Sequence, residues 1–220
     1  MEDRVVLLDL WASSYAMRVK IALAEKGIEY ECKAENLLDK SPLLLEMNPT
    51  NKKIPVLIHN GKPICESLVI VEYIDEVWHD KSPQLPSDPY QKSQAKFWAD
   101  YVDKKANIRH REKGLVRERR RSGSSKERVD RVFEDNGRRA WRQALLWRRR
   151  IGFVDVALVP ITSWFYTFET FGNFSIEAEC PKFIAWSKRC LEKESVVNSL
   201  PHPEKIYGYA LELKKKFGSA

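Results

Sequence analysis

At 220 residues with a formal net charge of +7, the chain is long enough for one large domain or two small ones with packed cores. Its four cysteines, Cys32, Cys65, Cys180 and Cys190, show neither a CxxC pair nor metal-ligand spacing, which argues against a disulfide scaffold or a zinc module and for reduced, mostly buried thiols. No apolar run reaches bilayer length, and the positive charge is confined: residues 106–150 hold 16 Lys/Arg against 6 Asp/Glu, a net of +10 that leaves the rest of the chain at −3.

Acidic residues at Glu2, Asp3 and Asp9 make the N-terminal apolar run a first strand, Val5–Trp11, rather than a signal peptide. A short polar break follows, and a helix is expected over Ala16–Lys26 with Gly27 ending it. Ser13 thus precedes a helix start. A hydroxyl there can donate a hydrogen bond to a thiolate bound at the helix end; alternatively, Ser13 or Ser14 is simply the helix cap. A second strand is expected at Ile28–Cys32, where apolar and acidic residues alternate. Ser41–Met47 reads as a short helix with Pro42 in its first turn.

The stretch from Lys53 to Ser67 carries the densest local signal. Ile54-Pro55 is an extended step into the strand Val56-Leu57-Ile58. Asn60-Gly61 is a favoured hairpin turn, and Lys62-Pro63-Ile64 returns antiparallel. Glu66-Ser67 opens a helix, with Ser67 as the expected N-cap before Val69, Ile70, Tyr73 and Ile74. A helix start presents free backbone N–H groups, a ready site for a carboxylate. HDKSPQLPSDPY, residues 79–90, is the linker. Helical spacing resumes at Gln91, with Phe97, Trp98, Tyr101 and Val102 on one face. A second helical block starts near Phe153, where Gly152 and Asp155 form a capping arrangement. The aromatics Trp164, Phe165, Tyr166, Phe168, Phe171, Phe174 and Trp186 are mostly expected in the core, and Ile176–Cys190 and Pro203–Phe217 supply the last helices.

WASSYAMRVKIALAEKGI, the Ile-Pro, hairpin and Glu-Ser run, and the Trp-rich helical half together resemble the glutathione transferases, and within them the plant tau class, over roughly 4–105 and 151–217. The resemblance implies a glutathione transferase fold. An α/β thioredoxin-like domain would occupy 1–79 and a linker 80–90. An all-α domain at 91–220 would form the hydrophobic pocket, with 106–150 atypical. It implies attack of the glutathione thiolate on hydrophobic electrophiles, with Ser13 catalytic. Lys40, Lys53, Ile54, Glu66 and Ser67 would bind glutathione, the lysines at its glycine carboxylate and Glu66 with Ser67 at its γ-glutamyl end. The family holds the proline after Ile54 in cis. Tyr15, Arg111, Trp164, Tyr209 and Leu213 match positions that line the hydrophobic pocket. Glutathione is a co-substrate; no cofactor, metal, nucleic acid or membrane is implied. A cytoplasmic homodimer acting in detoxification and stress response is.

Residues 107–150 break this resemblance. They lack helical periodicity inside a helical region and carry the clusters Arg119-Arg120-Arg121, Arg138-Arg139 and Arg148-Arg149-Arg150. Codons allowed for Asn107 to Glu118, read one base later, encode IYDTGKKVWSGK; the same shift of Gly137 to Arg149 encodes EGELGDKPYFGGD. Both strings look like tau-class sequence, so the stretch reads as a frame slip rather than a basic insert. As written, Asn107 and Gly114 stand where the family has aromatics.

Three other readings have distinct signatures. A redox thioredoxin-like enzyme needs a reactive cysteine where Ser13 stands. A non-catalytic glutathione or hydrophobic-ligand carrier would bind without conjugating. A nucleic-acid binder rests on the Arg segment alone.

Overall fold

The computed structural model describes residues 3–106 and 150–218. Strand β1 (Val5–Asp9) is followed by α1 (Ser14–Lys26), β2 (Glu31–Ala34), α2 (Pro42–Met47), β3 (Val56–His59), β4 (Lys62–Cys65) and α3 (Ser67–Val77). The four strands form one sheet in the order β2-β1-β3-β4, with β1 parallel to β2 and the other two pairings antiparallel. This is the mixed sheet of a thioredoxin-like α/β unit. Beyond it come α4 (Pro89–Ala106), α5 (Phe153–Leu158), a 3₁₀ segment (Val159–Trp164), α6 (Phe165–Gly172), α7 (Ile176–Glu179), α8 (Pro181–Cys190), α9 (Glu194–Val197) and α10 (Pro203–Phe217).

β1 is buried along its whole length because the sheet is covered on both faces. Val5 and Leu7 pack toward α1 and α3, while Val6 and Leu8 pack with Leu44, Val56 and Ile58 beneath α2, as the two-residue side-chain period of a strand requires. The first of these clusters runs without a break into the helical half through Trp98, Phe153, Val156 and Trp186.

A buried polar lock joins the two halves. Lys26 Nζ, with a fully buried side chain, lies 2.6 Å from Asp75 Oδ1 and donates to the carbonyls of Trp78 (3.0 Å) and Lys81 (2.5 Å). Asp75 also accepts from the N–H groups of Gln84 and Leu85, and the Gln84 carbonyl accepts from Phe153 N–H at the start of α5. The linker is thereby stitched to α1, α3 and the helical half. At that same helix start, Asp155 Oδ2 accepts from Gly152 N–H at 2.9 Å and Oδ1 from Trp186 Nε1 at 2.7 Å.

Several expectations are corrected. β1 ends at Asp9, short of Trp11, and α1 starts at Ser14 rather than Ala16. β2 is displaced to Glu31–Ala34 because Ile28 N–H closes the end of α1 on the Leu23 carbonyl, with Gly27 at φ 60°, the left-handed helix ending that glycine permits. α4 begins at Pro89, inside the expected linker. On α4, Phe97 points outward while Trp98 is buried; the Val102 side chain lies outside the described residues. The block from Phe153 is not one helix: Pro160, which lacks an N–H, coincides with a tightened 3₁₀ turn. Pro181 likewise divides 176–190 into α7 and α8. Of the aromatics expected mostly in the core, only Trp186 is fully buried, and Tyr166 and Phe171 are exposed; both meet Tyr207 of α10 edge-on or tilted at the surface. The thiols are free, but only Cys190 is buried and Cys32 is exposed.

Candidate active site

The β1–α1 connection places Ser13 at the N-cap of α1 with extended backbone (φ −79°, ψ 112°). Its Oγ accepts from Ala16 N–H at 3.4 Å, a long bond. Ser13 is therefore the cap, and because the cap uses the oxygen as acceptor, the hydroxyl proton remains able to donate. Capping and thiolate stabilisation are compatible at this residue.

α3 begins one residue earlier than expected. Glu66 is its N-cap and Ser67 its first residue, so Ser67 is not the cap. Glu66 adopts φ 70° with no side-chain cap bond, an unfavourable conformation for a non-glycine residue, of the kind that collects at functional sites. The start of α3 consequently keeps its positive end and first-turn N–H groups without a protein carboxylate or hydroxyl from its cap. Beside it, Ser67 Oγ accepts from Arg18 Nη1 at 3.1 Å, which leaves the Ser67 proton to donate.

Arg18 is a participant that sequence reasoning missed. It is 5% exposed, donates Nε to the Ala157 carbonyl at 2.9 Å, and pairs through Nη2 with Asp103 of α4 at 2.5 Å. One guanidinium thus ties α1, α3, α4 and α5 together behind the two helix starts. Tyr15 lies with its ring 5.1 Å from the Arg18 guanidinium carbon; burial raises its pKa, Asp103 adds to the rise, and Arg18 opposes it. The available signal was the charged residue between Met17 and Val19 on the buried face of α1, but its partners are distant in sequence.

Lys53 and Ile54 stand before the cis Ile54–Pro55 bond, as the resemblance implied. Lys53 and Glu66 are exposed, and Lys40 and Ile54 are half-buried. Asn51 Nδ2 donates to Glu66 Oε1 at 2.9 Å, linking the Lys53 loop to the start of α3. Next to Ser13 in the chain, Ala12 and Met17 pack with Ile206 of α10, and Trp11, Trp164 and Tyr209 pack against them. Trp11 and Tyr209 meet at 5.3 Å, and Lys205 Nζ sits 4.4 Å from the Trp11 ring centre. Burial raises the Tyr209 pKa, with a further contribution from Glu212. Leu213 is half-buried on α10, one turn beyond Tyr209. The structure therefore places Ser13 and Tyr15 at the start of α1 and Glu66 and Ser67 at the start of α3, with Trp164 and Tyr209 packed against the neighbours of Ser13, Ala12 and Met17. Arg111 lies outside the described residues, as do Asn107 and Gly114. Among the described residues no cluster of His, Cys, Asp or Glu could hold a metal ion, and no helix is long and apolar enough to cross a membrane.

This geometry has counterparts. Residues 4–76 match the family model described as glutathione S-transferase, N-terminal domain. A probable glutathione S-transferase of Nicotiana tabacum is 60% identical over 218 residues, covering 99% of both chains. The chain belongs to the glutathione S-transferase family. Its place is in the plant tau class. The crystal structure of a tau-class glutathione S-transferase from mango superposes with a TM-score of 0.81 at 37% identity, covering 96% of this chain and 98% of that one. A rice glutathione S-transferase, solved in complex with glutathione, gives a TM-score of 0.81 at 39% identity over 99% of each chain. This chain is accordingly a glutathione transferase in fold and activity class, which favours catalysis over a carrier role.

Proposed function

We propose that Ser13 activates glutathione for attack on hydrophobic electrophiles. The carrying observation is a hydroxyl at the N-cap of α1, with its oxygen occupied by the cap and its proton free to donate. A free thiol has a pKa of ~8.5, and lowering it by ~2 units requires about 2.7 kcal/mol of preferential thiolate stabilisation. A hydroxyl donor added to the positive end of a helix can supply that. The γ-glutamyl carboxylate suits the uncapped start of α3 and the Ser67 hydroxyl, its ammonium group suits Glu66, and the glycine carboxylate suits Lys40 and Lys53. Tyr15, Trp164, Tyr209 and Leu213 line the pocket for the electrophile, with Arg111 added by the resemblance. Glutathione is the co-substrate, and no further cofactor is needed because the nucleophile arrives with it. Ser13→Ala should fold and lose at least about tenfold of its conjugation of an aryl halide; unchanged activity would reduce Ser13 to a cap.

The same reading takes the protein as a cytoplasmic homodimer that detoxifies electrophiles under stress. Contact between the α/β half of one chain and the helical half of the other is the expected interface. A monomeric mass by light scattering at micromolar concentration would reject the dimer.

The stretch between roughly residues 106 and 150 is proposed to be a frame-shifted reading of ordinary tau-class sequence. The tobacco relative aligns over 99% of both chains, so their lengths agree, as a slip followed by its reversal requires; a genuine insert would lengthen this chain. A chain carrying the shifted reading should melt higher and conjugate hydrophobic electrophiles faster than the chain as written. Equal melting points and rates would contradict the proposal.

A further inference from the structure

We propose that Asn48 is a positioning residue for glutathione, holding both ends of its binding site in register through one chain of hydrogen bonds. The inference rests on the glutathione site proposed above. Asn48 caps the end of α2 and is 4% exposed. Its N–H donates to the Leu44 carbonyl at 2.9 Å, and its carbonyl accepts from Lys52 N–H at 2.8 Å. Its side chain works in both senses: Nδ2 donates to the Lys53 carbonyl at 2.9 Å, and Oδ1 accepts from Asn51 N–H at 3.1 Å. Asn51, oriented by that bond, donates its own Nδ2 to Glu66 Oε1 at 2.9 Å.

The chain therefore runs from the Lys53 backbone through Asn48 and Asn51 to Glu66. Lys53 belongs to the glycine end of glutathione and Glu66 to the glutamyl end. A single primary amide is the side chain that offers a donor and an acceptor from one short fork. Alanine removes both, and aspartate keeps the acceptor while turning a second acceptor toward the Lys53 carbonyl. The turn also carries strain, with Lys52 at φ 52°, so it needs restraint from outside the local backbone. The reacting sulfur is assigned to Ser13 and α1, which this hydrogen-bond chain does not touch. Loss of Asn48 should accordingly weaken glutathione binding and spare the chemical step.

Steady-state conjugation with varied glutathione tests this in Asn48→Ala, Asn48→Asp, Asn51→Ala and Glu66→Ala. Half-saturating glutathione should rise roughly fivefold or more in both Asn48 variants, the effect of losing about one buried hydrogen bond, with kcat within about twofold and the pH profile of kcat in place. Asn51→Ala, at an exposed side chain, should move in the same direction, and its effect should vanish when combined with Glu66→Ala. An Asn48→Ala protein that folds with unchanged half-saturation, or that loses kcat or shifts its pH profile instead, overturns the proposal. Should Asn48→Ala fail to fold, unchanged half-saturation in Asn51→Ala overturns it. Glu66→Ala separates the two levels. If Glu66→Ala raises half-saturation while the asparagine variants do not, this inference alone fails; if Glu66→Ala has no effect either, the glutathione site itself is wrong.

Discussion

Two sets of charged side chains in this molecule do opposite work. Arg18, Lys26, Asp75 and Asp155 are buried and each is met by several backbone or side-chain partners. Lys53 and Glu66 are exposed, and Glu66 sits in strained backbone beside an uncapped helix start. The first set holds the halves together and is satisfied without a ligand. The second is exposed, and the proposed site gives its charges to glutathione. Side chains of the same types are thus divided by burial, and the proposed division into structural and ligand-binding groups can be tested one residue at a time.

The largest effect is expected at the lock. Lys26→Met leaves Asp75 buried without its cation and the Trp78 and Lys81 carbonyls without their donor. It should cost about 3–5 kcal/mol in urea unfolding, with little change in half-saturating glutathione for the protein that remains folded. A loss under about 1 kcal/mol would mean that the pair is not part of what holds the halves together.

Asp155 gives a pH-dependent version of the same contrast. Desolvation raises its pKa from 3.8 to about 6, against the opposing pull of the Gly152 N–H, the Trp186 indole and Arg189. The folded carboxyl holds its proton more tightly than the unfolded one, so the native state binds more protons between about pH 4 and 6 and loses stability as pH rises through that window. A shift of roughly 2 units corresponds to about 3 kcal/mol. The stability of the natural chain relative to Asp155→Asn should therefore fall by about 2 kcal/mol from pH 4 to pH 6.5. A difference that stays flat with pH would show that the carboxyl is not held in a desolvated site.

The smallest effect on stability belongs to the exposed set. Glu66→Ala and Lys53→Ala should change the unfolding free energy by no more than ~0.5 kcal/mol, yet weaken glutathione binding about 10- to 150-fold, as expected for charge-assisted bonds of roughly 1.5–3 kcal/mol. A stability loss as large as that of Lys26→Met would erase the distinction between the two sets.

The contrast also explains which features were legible in the amino-acid sequence. The hairpin at Asn60-Gly61, the end of α1 at Gly27 and the Gly152–Asp155 cap follow from local backbone chemistry, and each was read from a few adjacent residues. Ser13 could be placed because a strand, a polar break and a helix follow one another there. Arg18 and Lys26 could not be interpreted, since their partners Ala157, Asp103, Asp75 and Lys81 come from other elements. The shift from Ser67 to Glu66 as the cap of α3 was invisible for a related reason. Helix rules disfavour a glutamate in a left-handed conformation, and only the fold around it imposes one. Ile28 and Tyr30 alternate like strand residues, although Ile28 N–H closes the end of α1 and the strand starts only at Glu31.

Stabilisation of the glutathione thiolate by Ser13 and the start of α1, as proposed, can be read from the thiolate's own ultraviolet absorbance. Bound glutathione should be titrated against pH in the natural chain and in Ser13→Ala, without an electrophile present. The natural chain should ionise the bound thiol about 2 units below its free value of ~8.5, and Ser13→Ala should return at least about one unit of that shift. Identical titration curves in the two proteins would contradict the claim.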